Sequence, residues 1–426
     1  MSDEQNAVPD ESGTGRRRFL QGAAVGAVGV AAAGGVLAGG ARSDAARAGK
    51  SGAPTASESF PFEGEHQSGI LTPAPAEKQA ALMVAAFDVI TDRAGLEKLL
   101  RTITDRARFL TAGGTPANLG VGKPPADSAV LGPVVPADGL TITLGVGSSL
   151  FDDRFGLGGR KPHKLKPMTV FPNDQPDPAQ LHGDLVLQLC ANNPDTVHHA
   201  LRDIAKHTRG AMQLRWKMQG YGAPPRPEGS ARNLLGFKDG SANPVGSQAE
   251  ELIWVDPENG AGEPSWTAGG TYLVVRLIRM MVEFWDRVSI AEQEGMFGRR
   301  RDSGAPLDGA VEADEPDYAA DPEGDVIPMD SHIRLANPRE GEKTEKQRLV
   351  RRSYNYDLGL DMNGNMACGH VFLCFQQDVE AQFEEVQKRL IDEPLTDYVT
   401  PFGGGYFFVV PGVRGADDFL GAGLFR

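Results

Sequence analysis

The sequence predicts an α+β protein made of two copies of one strand–helix plan, each with an antiparallel sheet and helices on one face. Two observations carry that expectation. Four apolar runs of strand type are each followed by a stretch with apolar residues at helical spacing. The spacing also repeats, since Ala81 to Asp184 spans 103 residues and Thr271 to His370 spans 99. A doubly wound parallel sheet fits less well, because no strand–helix turn carries a phosphate-binding glycine fingerprint and Gly145-x-Gly147 lacks the third glycine.

Taken in order, residues 1–48 read as an export signal. Gly15-Arg-Arg-Arg-Phe-Leu-Gln21 is a twin-arginine pattern, followed by a weakly apolar Ala/Gly/Val stretch and a small-x-small site at Ala46-Arg47-Ala48. The many glycines and few large apolar residues of that stretch argue against a membrane anchor, although an uncleaved leader acting as a tether stays open. The expectation is export of the folded chain by the twin-arginine machinery to an extracytoplasmic space. Residues 49–78 form an extended lead-in. The N-terminal half, 79–230, then begins with the strand Ala81–Ile90 and a helix from Asp92 to about Thr111, with Leu96, Leu99, Leu100, Ile103 and Leu110 on one face. Asp184–Ala191 and a helix over Pro194–His207 repeat the plan. In the C-terminal half, 231–426, Thr271–Met280 precedes a helix with Phe284, Trp285 and Ile290. His370–Gln376 precedes a helix over Asp378–Ile391. An acidic insert, 294–330, has little apolar periodicity and is expected either to fold over the surface or to stay mobile, and its end one residue before His332 makes it a candidate part of a site entrance.

Composition is that of a soluble enzyme, with 40% hydrophobic and 23% charged residues. The formal net charge of −14 belongs to the chain after residue 48, since residues 1–48 hold five acids and five arginines. A surface this acidic repels phosphate backbones, which argues against nucleic acid as a partner. Cys190, Cys368 and Cys374 form no CxxC pair, and Cys190 and Cys374 sit in strand-like apolar runs, so buried free thiols are expected. No C-x-x-C-H occurs, which excludes covalent c-type haem attachment.

Three polar clusters interrupt this framework. In Gly236-Phe-Lys-Asp-Gly-Ser-Ala-Asn-Pro244, glycines flank Asp239. The segment reads either as an Asx-type turn or as a carboxylate held for proton transfer. His332 lies in Asp330-Ser-His-Ile-Arg-Leu-Ala-Asn-Pro-Arg339. Arg348-Leu-Val-Arg-Arg-Ser-Tyr-Asn-Tyr356 leads an arginine pair into a strand. By contrast, His198, His199 and His207 lie in a polar helical stretch without zinc spacing and read as solvated.

Together these clusters resemble the dye-decolourising peroxidases, in particular the exported subgroup that includes the deferrochelatase/peroxidases. Gly236-x-x-Asp239-Gly240 is similar to the family's signature loop, His332 to Arg339 to its axial-histidine segment, and Arg351-Arg352-Ser353-Tyr354 to the segment bearing its distal arginine. The resemblance runs from about Phe60 to the C-terminus. It implies paired ferredoxin-like modules, with one non-covalent haem b per chain held in the C-terminal half. His332 would be the axial iron ligand, donating from its other nitrogen to Asp392 or Glu393. Asp239 would take a proton from hydrogen peroxide and return it to the leaving oxygen, and Arg351, first of its pair, would stabilise charge there. Gly240, Ser241, Ala242, Asn337, Pro338 and Arg339 would line the haem, and Leu373 and Phe375 would cap the distal pocket or simply pack the core. Ser353 departs from branches that carry asparagine there, which puts the rate of peroxide turnover in question.

The implied function is oxidation of bulky donors such as dyes or phenols by one-electron steps, with Trp216, Trp254, Trp266, Trp285 and Tyr318 as candidate electron exits. Iron or haem handling of the deferrochelatase kind, and a non-catalytic exported haem carrier, are the alternatives. A homo-oligomer is compatible with all three.

Overall fold

Four strands of the first half and four of the second follow the same pairing plan. In the computed structural model, which describes residues 58–72, 77–259 and 262–426, the first four are β1 (Ala81–Val89), β2 (Thr141–Gly147), β3 (Leu185–Ala191) and β4 (Met212–Tyr221). The second half contributes β5 (Thr271–Met280), β6 (Val350–Arg351), β7 (Tyr354–Leu360), β8 (Met366–Gln376) and β9 (Val399–Val409). The spatial orders are β4-β1-β3-β2 and β9-β5-β8-β7. Each places the first and third strands of its half side by side in the middle, the ferredoxin-like arrangement. The two expected sheets also join. β2 pairs with β9 (Val146 opposite Phe408), and β4 meets β7 at Tyr221 and Asn355, so the antiparallel sheet closes on itself. Closure leaves these strands no open edge.

Burial explains why the early strands read so clearly. β1 has Leu82, Val84 and Ala86 facing one cluster with Trp216, Leu273 and Phe407, while Met83, Ala85 and Phe87 face the helices. With both faces covered, its sequence is nearly continuous apolar. β4 was not legible, because Trp216 and Met218 alternate with exposed Lys217 and Gln219. Glycine serves closure in β9. Gly404 has φ +112°, and a Cβ there would lie 2.0 Å from the Val275 carbonyl oxygen.

On the helical side, α1 (Arg93–Ala112) is capped by Asp92, whose side chain accepts from the Gly95 amide, and buries the predicted Leu96, Leu99, Leu100, Ile103 and Leu110. α2 (Pro194–His207) has the predicted bounds. It holds one correction: His199 is fully buried against Asp127 at 2.6 Å, because it lies on the apolar face with Ala200 and Ile204. α3 (Gly246–Ile253) precedes β5. The single helix expected after β5 is two short ones, α4 (Val282–Trp285) and α5 (Ile290–Phe297), restarted by a capping box at Ser289 and Glu292. α6 (His332–Ala336) and α7 (Glu342–Glu345) follow the insert. The last helix opens as a π-helical stretch, Val379–Glu384, before α8 (Glu385–Arg389).

Two loops expected to be peripheral are built in. The described part of the lead-in packs on the sheet, with Gln67 donating to the carbonyls of Leu144 and Val410. The reading of residues 1–48 as a signal lies outside the described residues. The acidic insert is anchored by buried Arg334 of α6, which donates to the Ile327 carbonyl at 2.6 Å and pairs with Asp321 at 3.2 Å. Removing one partner of a buried pair leaves the other uncompensated. Arg334→Leu should therefore free the insert, read as faster limited proteolysis between residues 299 and 330 than in the parent chain.

Candidate active site

The loop that carries Asp239 is shaped by its own backbone. Arg232 and Lys238 form a bridge, and the Asp239 amide donates to the Ala231 carbonyl at 2.8 Å. Gly236 (φ +87°) and Gly240 (φ +105°) supply the left-handed turns on either side. Between them, three consecutive side chains part company. Phe237 is buried between Trp285 and Phe297, Lys238 reaches Glu312 of the insert at 2.5 Å, and Asp239 turns toward Arg351. Asn243 then ties the loop to β6. Its Nδ2 donates to the Arg351 carbonyl at 2.7 Å, and its Oδ1 accepts from the Arg351 amide at 3.1 Å.

This places Asp239 Oδ1 3.0 Å from the Arg351 guanidinium and Oδ2 3.1 Å from His370 Nε2. Burial alone would favour the protonated acid. The charges of Arg351 and His370, a hydrogen bond from His370 and the charge of Lys78 outweigh it and hold the carboxyl well below the usual carboxylate range. Lys78 closes the rear of the site. Its Nζ donates to the Ser353 carbonyl at 2.7 Å and lies 4.3 Å from the Tyr354 ring centre, and burial next to Arg352 brings its pKa down to about 8. Of the arginine pair, Arg351 and not Arg352 lies beside Asp239. Arg352 is turned away and donates to Thr72 and Gln79.

His332 opens α6, and its Nδ1 lies 2.6 Å from Glu393 Oε2. That settles the carboxylate: Glu393 is buried, whereas Asp392 is exposed. Burial works against a charged imidazole, but the charge and hydrogen bond of Glu393 outweigh it and raise the pKa of His332. In the neutral ring, the proton shared with Glu393 is on Nδ1 and the lone pair on Nε2, the tautomer an iron ligand requires. His332, Arg351 and Asp239 keep 29%, 27% and 20% of their side-chain surface accessible, and the charges of Arg351 and Asp239 both act on His332, so the three lie near one another.

Other donors suit a haem. Arg339, held at φ +57°, pairs with Glu315 at 3.0 Å, but its Nε is buried without a partner, a donor fit for a propionate. Asn337 ends α6 and accepts from the Arg339 amide at 3.3 Å. Two groups of expectations change. Ser241 Oγ is engaged by Glu312 at 2.7 Å and the Ala242 carbonyl by Arg348 at 3.1 Å, so both face protein partners. Leu373 and Phe375, expected as a distal cap, have no accessible surface. The register of β8 turns them into the core beside Leu273 and Val275, which gives them a packing role. Among the aromatic residues, Trp216 and Trp285 are buried, with their indoles on the carbonyls of His182 and Leu235, while Trp254 stacks on His66 with ring centres 3.7 Å apart.

An ionised acid beside a guanidinium, across from an imidazole with a free lone pair, is equipped to move the protons of a small oxidant at a bound metal centre. That is the chemistry of a haem-peroxidase-type oxidoreductase. Comparison with known proteins agrees. Residues 67–222 match the family described as Dyp-type peroxidase, N-terminal, and residues 230–414 match Dyp-type peroxidase, C-terminal. The chain is 49% identical over 432 residues to a deferrochelatase of Escherichia coli (strain K12), covering 99% of each, and 50% identical over 432 residues to one from Shigella sonnei (strain Ss046), again covering 99% of each. Among solved structures, a DyP-type peroxidase from Cellulomonas bogoriensis superposes with TM-score 0.77 at 36% identity, covering 87% of this chain and 98% of that one. Ferric DtpA from Streptomyces lividans gives 0.75 at 33%, covering 85% and 96%. The chain belongs to the Dyp-type peroxidase family.

Glu312 connects the insert to this chemistry. It accepts from the Ser230 amide at 3.1 Å, from Lys238 at 2.5 Å and from Ser241 at 2.7 Å, which outweighs its burial and pulls its pKa down to about 2. A depressed carboxyl stabilises the folded form above its unfolded pKa, and that contribution fades as pH falls from about 4.5 toward about 2. Protection of the amides of residues 230–243 against hydrogen exchange, corrected for the pH dependence of the intrinsic rate, should fall as pH drops across that window in the parent chain. In Glu312→Gln it should be low throughout.

Proposed function

We propose that the chain holds one non-covalent b-type haem through His332 and uses Asp239 and Arg351 for hydrogen-peroxide-dependent oxidation of bulky donors outside the cytoplasm. The observation that carries this reading is the pairing of His332 Nδ1 with Glu393, which leaves Nε2 of the neutral ring as a lone-pair donor on a side chain that keeps 29% of its surface accessible. A bound haem supplies the iron that accepts peroxide and the electron store that lets donors react one electron at a time.

The chain's own residues then have separate tasks. Glu393 keeps His332 in one tautomer and one orientation and makes Nε2 more basic. Ionised Asp239 would accept one proton of hydrogen peroxide and return it to the departing oxygen. Because Arg351 lies 3.0 Å from the same carboxylate, its guanidinium sits where it can stabilise the negative charge that develops on that departing oxygen. Donors too large for the pocket would give up electrons at the protein surface. Of the candidate rings, Trp254 (stacked on His66), Trp266 and Tyr318 are partly exposed.

Export rests on Arg16-Arg17-Arg18-Phe19-Leu20. A route that carries folded proteins suits a chain that loads its cofactor before crossing. A second reading, iron recovery from haem, has its own support in the naming of relatives 49% identical over 99% of this chain as deferrochelatase. Haem-loaded protein incubated with and without peroxide separates the two. Donor oxidation with intact haem supports the peroxidase reading, and accumulation of metal-free porphyrin supports the other.

His332→Ala should fold and purify largely without haem, seen as loss of the Soret band. A normal Soret band in that variant would refute the ligand assignment. Asp239→Ala should keep haem and slow the peroxide-induced spectral change about 10²–10⁴-fold in stopped-flow mixing.

A further inference from the structure

The histidine behind Asp239 has a hydrogen-bond environment that determines its charge. His370 begins the apolar part of β8, with its Nε2 3.1 Å from Asp239 Oδ2 and its Nδ1 3.3 Å from Asn355 Oδ1. The orientation of Asn355 is not free. Its Nδ2 lies 3.0 Å from the Arg232 carbonyl, which can only accept, so the amide nitrogen must face that carbonyl and Oδ1 must face the imidazole. Both ring nitrogens of His370 therefore point at oxygens.

A neutral imidazole carries one proton and would set a bare nitrogen against one of these oxygens. If Nδ1 were bare, two lone pairs would meet at Asn355. If Nε2 were bare, Asp239 would have to hold the proton itself. The second arrangement has the same proton count as an ion pair, and the surroundings choose between them. Asp239 Oδ1 receives the Arg351 guanidinium at 3.0 Å and Lys78 lies nearby, so the carboxylate form is favoured on Asp239 and the proton stays on the ring.

We propose that His370 stands behind Asp239 as a doubly protonated imidazolium, a positioning residue whose fixed charge keeps the distal carboxylate ionised in acid. The proposal rests on the reading of Asp239 as the acceptor of the peroxide proton. His370 touches neither peroxide nor metal and acts only through Asp239.

Charged and titratable groups surround the pair on several elements, and on β7, where Asn355 lies opposite His370, Tyr354 and Tyr356 are buried while Asp357 is exposed. Arg351 comes from β6 and Lys78 from the segment before β1. On the Asp239 loop, Lys238 is occupied by Glu312, and the Arg232 guanidinium by the carbonyls of Gly236, Arg301 and Asp302. On the β5 side, where Ile278 lies opposite His370, Arg279 is paired with Asp361. Asp239 is the one carboxylate recorded within ion-pair distance of His370 among the described residues.

His370→Gln tests the idea because glutamine keeps an N–H donor for Asp239 but carries no charge. Asp239 must be ionised to accept a proton, so the peroxide reaction falls off as pH drops through the titration of Asp239. Without the neighbouring positive charge, that acid limb should move up by about one to three pH units. If the profiles of parent and variant superimpose, a role for the charge is excluded and only hydrogen bonding remains. Long-range proton–nitrogen NMR of the haem-loaded protein, in its diamagnetic carbonmonoxy ferrous form, reads the ring directly. Two protonated ring nitrogens, absent from the spectrum of His370→Gln, are expected. A spectrum with one bare ring nitrogen overturns the proposal. The readouts fail separately. A haem-loaded parent inert to peroxide would refute the peroxidase reading, while the spectrum would still decide the charge of His370.

Discussion

The chemistry of this chain depends on a carboxylate kept ionised where burial alone would protonate it. Asp239 is inside the protein, yet Arg351 on one oxygen and His370 on the other, with Lys78 behind, outweigh desolvation. Strand β8 is common to the two nearest cations. It carries His370 itself, and its pairing with β6 sets Arg351 opposite Cys374. Asn243 completes the arrangement by hydrogen bonding both backbone groups of Arg351, so the loop and the strand hold their charged side chains in fixed register.

At His332 the logic is reversed. Under the proposed reading, His332 would bind a cation through Nε2 and would need a partner that pulls the proton to Nδ1. Glu393 does so from the turn that leads into β9. One acid thus keeps a base available, while several bases keep an acid ionised. Both halves of the site come from the C-terminal module, but the insert and the N-terminal module support them. Glu312 fastens the Asp239 loop, Arg334 anchors the insert, and Lys78 enters from the start of the first half. Closure of the sheet brings these parts within reach of one another.

Much of the framework was legible because it rests on local periodicity. β1, β3 and β5 are apolar on both faces, and α1 and α2 show a clean helical stripe. β4 escaped notice because half of its residues face outward, and the helices after β5 and β8 broke where capping and a π-helical stretch intervened. Asp239, His332 and Arg351 could be named from motifs whose glycines and neighbours mark unusual backbone. His370 carried no such mark. A single histidine at the head of an apolar strand looks like any other, and its partner lies 131 residues earlier in the chain.

The sequence by itself determined the duplicated plan and the free cysteines, because each is written in short-range pattern, and resemblance to a family implied Asp239, His332 and Arg351. Only the tertiary structure decided between Glu393 and Asp392 and between core and cap for Leu373 and Phe375, and it places Arg351 rather than Arg352 beside Asp239. Those choices turn on which of two neighbouring side chains points inward. That depends on strand register and on loops brought together from distant parts of the chain, so one residue's displacement along a strand reverses the outcome.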